Sequence, residues 1–153
     1  MNNVISVDTR DVLNLFANLN RRNQYKAYRN ALKKGASILV KAAKKELKNK
    51  IGSKIDSKNW WNGKSLGSGI RYSINKEVTA AKIHILGDFR LKFFENGTNE
   101  RNTKKGFNRG CIKNNKYHFF DTAKQSTENE IFSNINMLIA ESIQKVAKKS
   151  KLR

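Results

Sequence analysis

The chain has 153 residues, 38% of them hydrophobic, with 32 Lys and Arg against 12 Asp and Glu and a net charge of +20. That length fits one domain with a modest core, and the charge points to polyanionic surroundings, either nucleic acid or an acidic protein face. A lone cysteine, Cys111, excludes an internal disulfide, and no apolar run reaches the length of a bilayer span.

The N-terminal segment MNNVISVDTR has neither the cationic nor the apolar region of a secretory leader, so a soluble intracellular setting is expected. Lys, Asn and Ile are all abundant, which also fits an AT-rich genome; much of the lysine would then be solvated decoration. Proline is absent, so turns must come from Gly, Asn, Asp and Ser. Charge is uneven along the chain. From Arg21 to Lys64 there are 14 basic and 2 acidic residues, and from Arg90 to Tyr117 there are 8 and 2. These two regions carry the field.

In chain order, VDTRDVLNLFANL reads as a short helix or arm over residues 1–20, capped by Asp8 or Thr9, with Val12, Leu15, Phe16 and Leu19 on one face. LNRRNQ reads as a hinge. A long helix is predicted over residues 22–50, with Tyr28, Leu32, Gly35, Leu39, Ala42, Ala43 and Leu47 recurring at three- and four-residue steps. Its opposite face is basic, and Lys33, Lys34, Lys41, Lys44, Lys45 and Lys48 are candidate contacts to DNA phosphates. Gly35 sits mid-helix, at a local cost of about 1 kcal/mol, which points to a close neighbour.

KIGSKIDSKNWWNGKSLGSG is loop-like. Its Trp60–Trp61 pair has two readings: an indole closing the end of the core, or an exposed aromatic that meets a partner. A β-hairpin follows. Ile70, Tyr72 and Ile74 alternate, as do Ala81, Ile83 and Ile85, with NKE between the arms. RLKFFEN is either a strand or one or two helical turns. Residues 99–116 are polar and basic and read as a mobile loop. KYHFF reads as a short strand. Asp121 or Thr122 then caps a terminal helix over about 121–148, with Ile131, Ile135, Leu138, Ile139, Ser142, Ile143 and Val146 on one face. Residues 148–153 read as a frayed basic tail.

The predicted fold is α+β and a single domain: a long N-terminal helix and a C-terminal helix packed on one face of a small antiparallel sheet of three to five strands.

Signals for catalysis are sparse. His84 lies on a strand and His118 beside aromatics, and neither has a carboxylate or cysteine at ligand spacing, so no metal or cofactor is expected. Cys111 lies near Arg109 and Lys113 but has no nucleophile motif around it. GKSLGSG lacks Walker spacing and precedes a strand. One enzyme reading remains, a small basic ribonuclease of toxin type that brings Glu95, Arg101 and His118 together.

The order SLGSGIRYSI, AAKIHI, RLKFFENGT, basic loop, FFDTA resembles the phage tail-completion, or head–tail joining, family of long-tailed phages and prophages. Members of that family carry a grLrnSI segment, a strand hairpin, a yakfvEfGT signature and a pFl.pA helix start. Leu66, Ile70 and Ile74 match the first of these. Phe93, Phe94, Glu95, Gly97 and Thr98 match the signature, and Phe119, Phe120 and Ala123 match the helix start. The resemblance covers residues 22–147. Departures are NWWNGKSLG in place of the usual PVDTG, the missing prolines and the long loop at 99–118. The resemblance implies a non-enzymatic virion protein, made in the host cytoplasm. It would form a homo-oligomeric ring at the head-proximal end of the tail, against the tail tube protein and the head or neck connectors.

Under that reading FFENGTNERNTKKG is an assembly loop. Phe93 and Phe94 anchor it in the core, one or both facing in. Gly97 permits a turn that a β-carbon would hinder, and Thr98 bonds neighbouring backbone. Glu95, in a basic region, is expected to pair with a cation, within its subunit or across a ring interface. The remainder, with Arg101, Lys104, Lys105, Phe107 and Arg109, lacks the apolar content to fold on itself, so a partner is expected to order it. A solvated loop without a partner, and a free nucleic-acid-binding protein using the same cations, are the competing readings.

Overall fold

The computed structural model describes Ala17, residues 21–112 and residues 118–151. The expected N-terminal helix therefore lies outside the described residues, apart from Ala17. So does most of KYHFF, at residues 113–117.

Helix α1 spans Arg21–Ile51. It starts within LNRRNQ, so the expected hinge is helical from Arg21. Strong helix formers, chiefly Ala, Leu and Lys, outweigh Gly35 over this length. Two 3₁₀ turns follow, Gly52–Asp56 and Leu66–Gly69. Strands β1 (Arg71–Ile74) and β2 (Ala81–His84) pair antiparallel with Tyr72 opposite Ile83. Asn75 ties the turn between them, its Oδ1 accepting from the backbone N–H of Thr79 and Ala80, both at 2.9 Å. Helix α2 is Arg90–Asn96, and helix α3 is Phe119–Lys151.

The class is thus α+β, two long helices with a small antiparallel sheet. Among the described residues the sheet has two strands, against the expected three to five. RLKFFEN is helical, and Phe119 and Phe120 open α3 instead of ending a strand. Aromatic residues favour strands in general, but here the amides of Phe120 and Asp121 are held in a helical start. Helix α3 also runs on through Lys151, past the point expected to fray.

Helices α1 and α3 form the largest contact, running antiparallel, and the β-hairpin packs on α1. Ala43 and Leu47 meet Phe119 and Ala123, Gly35 faces Ile131, and Lys34 reaches Glu141 at 3.5 Å. The stripe of α1 that turns inward follows a four-residue step through Ala27, Ala31, Gly35, Leu39, Ala43 and Leu47. Small residues in its first half allow α3 to approach. Tyr28, expected on this stripe, is exposed, and Leu32 is half-buried. On α3, Ile131, Ile135 and Ile139 are half-buried and Ile143 is buried; the side chains of Leu138, Ser142 and Val146 lie outside the described residues. The main core gathers where α1 ends. There Leu47, Leu66, Ile70, Leu91 and Phe119 are fully buried, with Ile55, Ala43 and Ala123 around them.

A β-carbon added at Gly35 would stand 3.9 Å from Ile131 Cγ2, an ordinary contact. Gly35→Ala is therefore expected to stabilise the protein by about 1 kcal/mol, through helix propensity alone. Thermal melting checks this, and a lower melting temperature would mean that the helices cannot accept the methyl group.

Candidate functional site

The segment Phe93–Thr98 does three things. It ends α2, holds the start of α3 and begins the basic loop. Glu95 is buried, and its carboxylate accepts two backbone hydrogen bonds from the first turn of α3, from the Phe120 N–H at 2.8 Å and the Asp121 N–H at 3.1 Å. These are donors that a helix N-terminus leaves without intrahelical partners, and the negative charge sits at the positive end of the helix dipole. Among the described residues no cation of the same subunit pairs with Glu95; its partners there are amides, and Asp121 and Thr122 do not supply the cap. A helix start needs acceptors, and α3 borrows them from α2.

Gly97 has φ 73° and ψ −175°, a region open essentially to glycine alone. Its N–H bonds the Phe93 carbonyl at 2.8 Å and closes α2. Phe94 packs against the core, whereas Phe93 is exposed. So one of the two anchors faces in.

Beyond Gly97 the basic segment has a fold of its own. The Thr98 N–H donates to the Ile112 carbonyl at 2.8 Å, and the Ile112 N–H donates back to Thr98 Oγ1 at 3.0 Å. Arg101 N–H donates to the Gly110 carbonyl, and Arg109 N–H to the Arg101 carbonyl. Asn102 and Asn108 form an antiparallel bridge. At the tip, the Thr103 carbonyl accepts from Gly106 N–H at 2.9 Å, and Thr103 Oγ1 accepts from Phe107 N–H at 3.0 Å. Residues 98–112 are therefore a two-legged arm held by backbone bonds, not a loop that waits for a partner to order it. Apolar content is low, as expected, but it is not what folds the arm. Lys104, Lys105 and Phe107 stand exposed at the tip, and Arg101 and Arg109 on the legs.

The residues of the enzyme reading are partly together. Ligand atoms of Glu95, His118 and Asp121 lie within 4.8 Å of one another, and His118 Nδ1 is 3.9 Å from Asp121 Oδ2. Arg101 is not joined to them by an ion pair among the described residues. The cluster is poorly suited to a cation. Both Glu95 oxygens already accept amide hydrogens, and the N-terminus of α3 repels positive charge. Cys111 is exposed and free.

The six lysines Lys33, Lys34, Lys41, Lys44, Lys45 and Lys48 fall within an arc of about 120° on α1, at 3.6 residues per turn. Arg22, Lys26 and Arg29 prolong the stripe toward the N-terminus, Lys26 within that arc and Arg22 and Arg29 just beside it. From Arg22 to Lys48 it is about 39 Å long, at 1.5 Å per residue. All of these cations are exposed except Lys44, which is half-buried. Of these cations only Lys34 has a carboxylate within salt-bridge distance among the described residues, Glu141. Lys33, Lys34 and Lys41 line an open groove of about 550 Å³ with Lys145 of α3.

A further cluster was not legible in the sequence. Asp88 is buried and held by Arg90 at 2.8 and 3.0 Å through the guanidinium, by the Arg90 N–H at 3.0 Å and by Asn59 Nδ2 at 3.3 Å. Arg90 also reaches Ser57 Oγ and the Ser57 carbonyl. This network fastens the Trp-containing loop to the start of α2. Burial pushes the Asp88 carboxyl up, but the hydrogen bonds from Arg90 and Asn59 and the charge of Arg90 outweigh it, so the pKa lies below its ordinary 3.8. A carboxyl depressed on folding contributes stability above its unfolded pKa and loses it as pH falls through the folded one. Asp88→Asn is therefore expected to weaken the protein near neutral pH and to weaken it less below about pH 4, the usual carboxyl range. Denaturant midpoints of both proteins across the acid range test this; parallel curves would show that Asp88 has no part in the acid limb.

Beside this network lies an aromatic chain. Trp61 stacks on Phe89 at 5.0 Å, Trp60 meets Trp61 edge-on at 5.8 Å and Phe89 meets Phe93 edge-on at 6.0 Å. The Arg90 guanidinium sits 5.6 Å from the centre of the Trp61 ring. Neither indole closes the core; Trp60 is 92% exposed.

No protein-family model, curated protein or solved structure matches this chain. Among the described residues no helix is long and apolar enough to cross a membrane.

Proposed function

We propose that the chain is a structural virion protein that completes a phage tail and joins it to the head as part of a homo-oligomeric ring. The observation that carries this reading is the Glu95 junction. The two stretches that resemble the family, RLKFFENGT and FFDTA, are far apart in sequence, yet Glu95 of the first holds the helix start of the second. The glutamate, glycine and threonine of the signature each have a structural task, capping, turning and anchoring the arm. None is left over for catalysis.

The partners in this reading are further copies of the chain, the tail tube protein and the head or neck connectors. The arm is the assembly element, with Phe107 and its four cations displayed on a folded scaffold. The basic stripe of α1 faces the DNA path and meets phosphates without reading sequence. Its length compares with one turn of duplex DNA, about 34–36 Å.

The stripe also supports a second reading, a free nucleic-acid-binding protein. Nothing in the geometry favours the ribonuclease, since the carboxylate of Glu95 is already engaged.

The test is phage lacking the gene, complemented with labelled protein and viewed by electron microscopy. Label at the head-proximal end of the tail is the expected result. In the same assay, Arg101, Lys104, Lys105 and Arg109 are replaced together by Ser. The arm is held by its backbone, and exposed charges contribute on the order of 0–1 kcal/mol per pair, so melting should barely change. Incorporation should fall. Label elsewhere, or full incorporation of the variant, would overturn the reading. Tight DNA binding with a steep salt dependence and no label in virions would favour the second one.

A further inference from the structure

We infer that the aromatic patch of Trp60, Trp61, Phe89 and Phe93 docks on the exposed acidic face of α3 in a second copy of the chain. This inference rests on the ring reading and specifies which surfaces join neighbouring subunits.

The patch is the size of the largest apolar patch on a typical monomer, which is often functional. Trp60 is 92% exposed, Phe89 56%, and Trp61 and Phe93 38% each. At about 200 Å² per aromatic side chain these four present roughly 450 Å². That is more than half of one side of a standard interface, about 800 Å². Trp61 is held between Phe89 and Arg90, so it loses little freedom on docking. Trp, Phe and Arg are also the residue types enriched at interface centres.

Charge selects the occupant. Lys58 and Lys64 are exposed on the Trp loop, Lys92 is exposed on α2, and Arg90 lies against Trp61. Of the acids in this region, Asp88 is buried and already neutralised, and the exposed Asp56 is outnumbered by Lys54, Lys58 and Lys64 around it. Two copies of the patch facing each other would set cation against cation, so a two-fold pairing is disfavoured. The occupant must carry negative charge beside an apolar group.

Helix α3 offers such a face at its N-terminal end; a second exposed set, Glu130, Met137 and Glu141, suits the patch less because Glu141 already pairs with Lys34. Asp121, Gln125, Glu128 and Phe132 are spaced by four, three and four residues, so they share one side of α3. All four are exposed, Phe132 at 64%. Phe132 supplies the apolar centre, and the two carboxylates meet the cationic rim. The two surfaces differ, so the contact is head-to-tail, the kind that closes into rings or continues as filaments.

The experiment uses the full chain and two charge-reversed variants, with sedimentation velocity as the readout. One variant carries Lys58→Glu, Lys64→Glu and Lys92→Glu; the other carries Gln125→Lys and Glu128→Lys. All substituted side chains are exposed, and circular dichroism verifies folding. The parent should associate beyond a dimer as concentration rises. Each variant alone should stay monomeric, and an equimolar mixture should associate again, because each reversed surface then meets an opposite one. Trp60→Ala should weaken association in the parent by at least tenfold. A monomeric parent, an association stopping at a dimer, or a mixture that stays monomeric would overturn the inference. Electron microscopy of complemented phage separates the two levels. Variants that enter virions at parental levels would remove these contacts and leave the tail reading standing. A parent that associates but never enters virions would do the reverse.

Discussion

Glu95→Ala is expected to lower folding stability by roughly 3 kcal/mol, from the loss of a charged two-amide cap and the desolvated donors left behind. Both hydrogen bonds go to backbone in the first turn of α3, and Phe119, next to these amides, is fully buried in the core. Water therefore has poor access to replace the carboxylate. Glu95→Gln keeps the shape but presents a donor to one of the two amides. About half the effect should remain. Denaturant unfolding gives the magnitudes, and hydrogen exchange at Phe120 and Asp121 gives the location. An alanine variant within about 0.5 kcal/mol of the parent, the range of ordinary surface changes, would show that the cap is not needed.

A second large effect is expected at Gly69 and Gly87, where two backbone segments touch. A β-carbon at Gly69 would stand 2.7 Å from the Asp88 nitrogen and 2.7 Å from Leu91 Cδ1. At Gly87 it would stand 2.7 Å from the Gly69 carbonyl oxygen and 2.9 Å from its Cα. Backbone cannot move aside as a flexible side chain does. Moving either segment would also disturb the Asp88–Arg90 network and the burial of Leu91. Either alanine variant should lose more than about 3 kcal/mol, at the upper end of overpacking costs. The readout is the urea midpoint, with soluble yield beside it. A midpoint near that of the parent would mean that the two segments separate at little cost.

Much of the architecture was legible because it rests on periodicity. The limits of α1, the hairpin arms and the body of α3 follow from spacings of three to four and of two. The inward stripe of α1 was harder. Ala27 and Ala31 are buried while Tyr28 is exposed, and size misleads where close helix approach selects small residues. RLKFFEN is too short for its pattern to separate strand from helix. FF at 119–120 reads as strand by propensity, but its helical start is imposed by Glu95, 25 positions away from Phe120.

The candidate site divides in the same way. The motif residues Phe94, Glu95, Gly97 and Thr98 do act together, and the basic stripe falls on one side of α1. Glu95's true partners were hidden because backbone amides leave no mark in a sequence read by side-chain charge. The arm's fold was hidden for a related reason, since its bonds are made by the backbone and by Thr98, Thr103 and Asn108. Asp88, Phe89 and Arg90 gave one unused signal, an acid and a base two residues apart, flanking an aromatic and following Gly87.

The self-paired arm fixes the thermodynamics of whatever it meets. A segment that orders on binding sacrifices about 1–2 kcal/mol of backbone entropy for each residue frozen. Residues 98–112 have already lost that freedom within the free subunit. Docking should then proceed nearly as a rigid body, with backbone shifts below about 1 Å. Its heat-capacity change should reflect the burial of Phe107 and the surface around it, without the large negative contribution of coupled folding. Subunits with a loosened arm, as expected when Thr98→Ala and Thr103→Ala remove its two threonine side-chain acceptors, should therefore bind with the same contacts but a larger entropic penalty, seen by calorimetry as a more negative binding entropy.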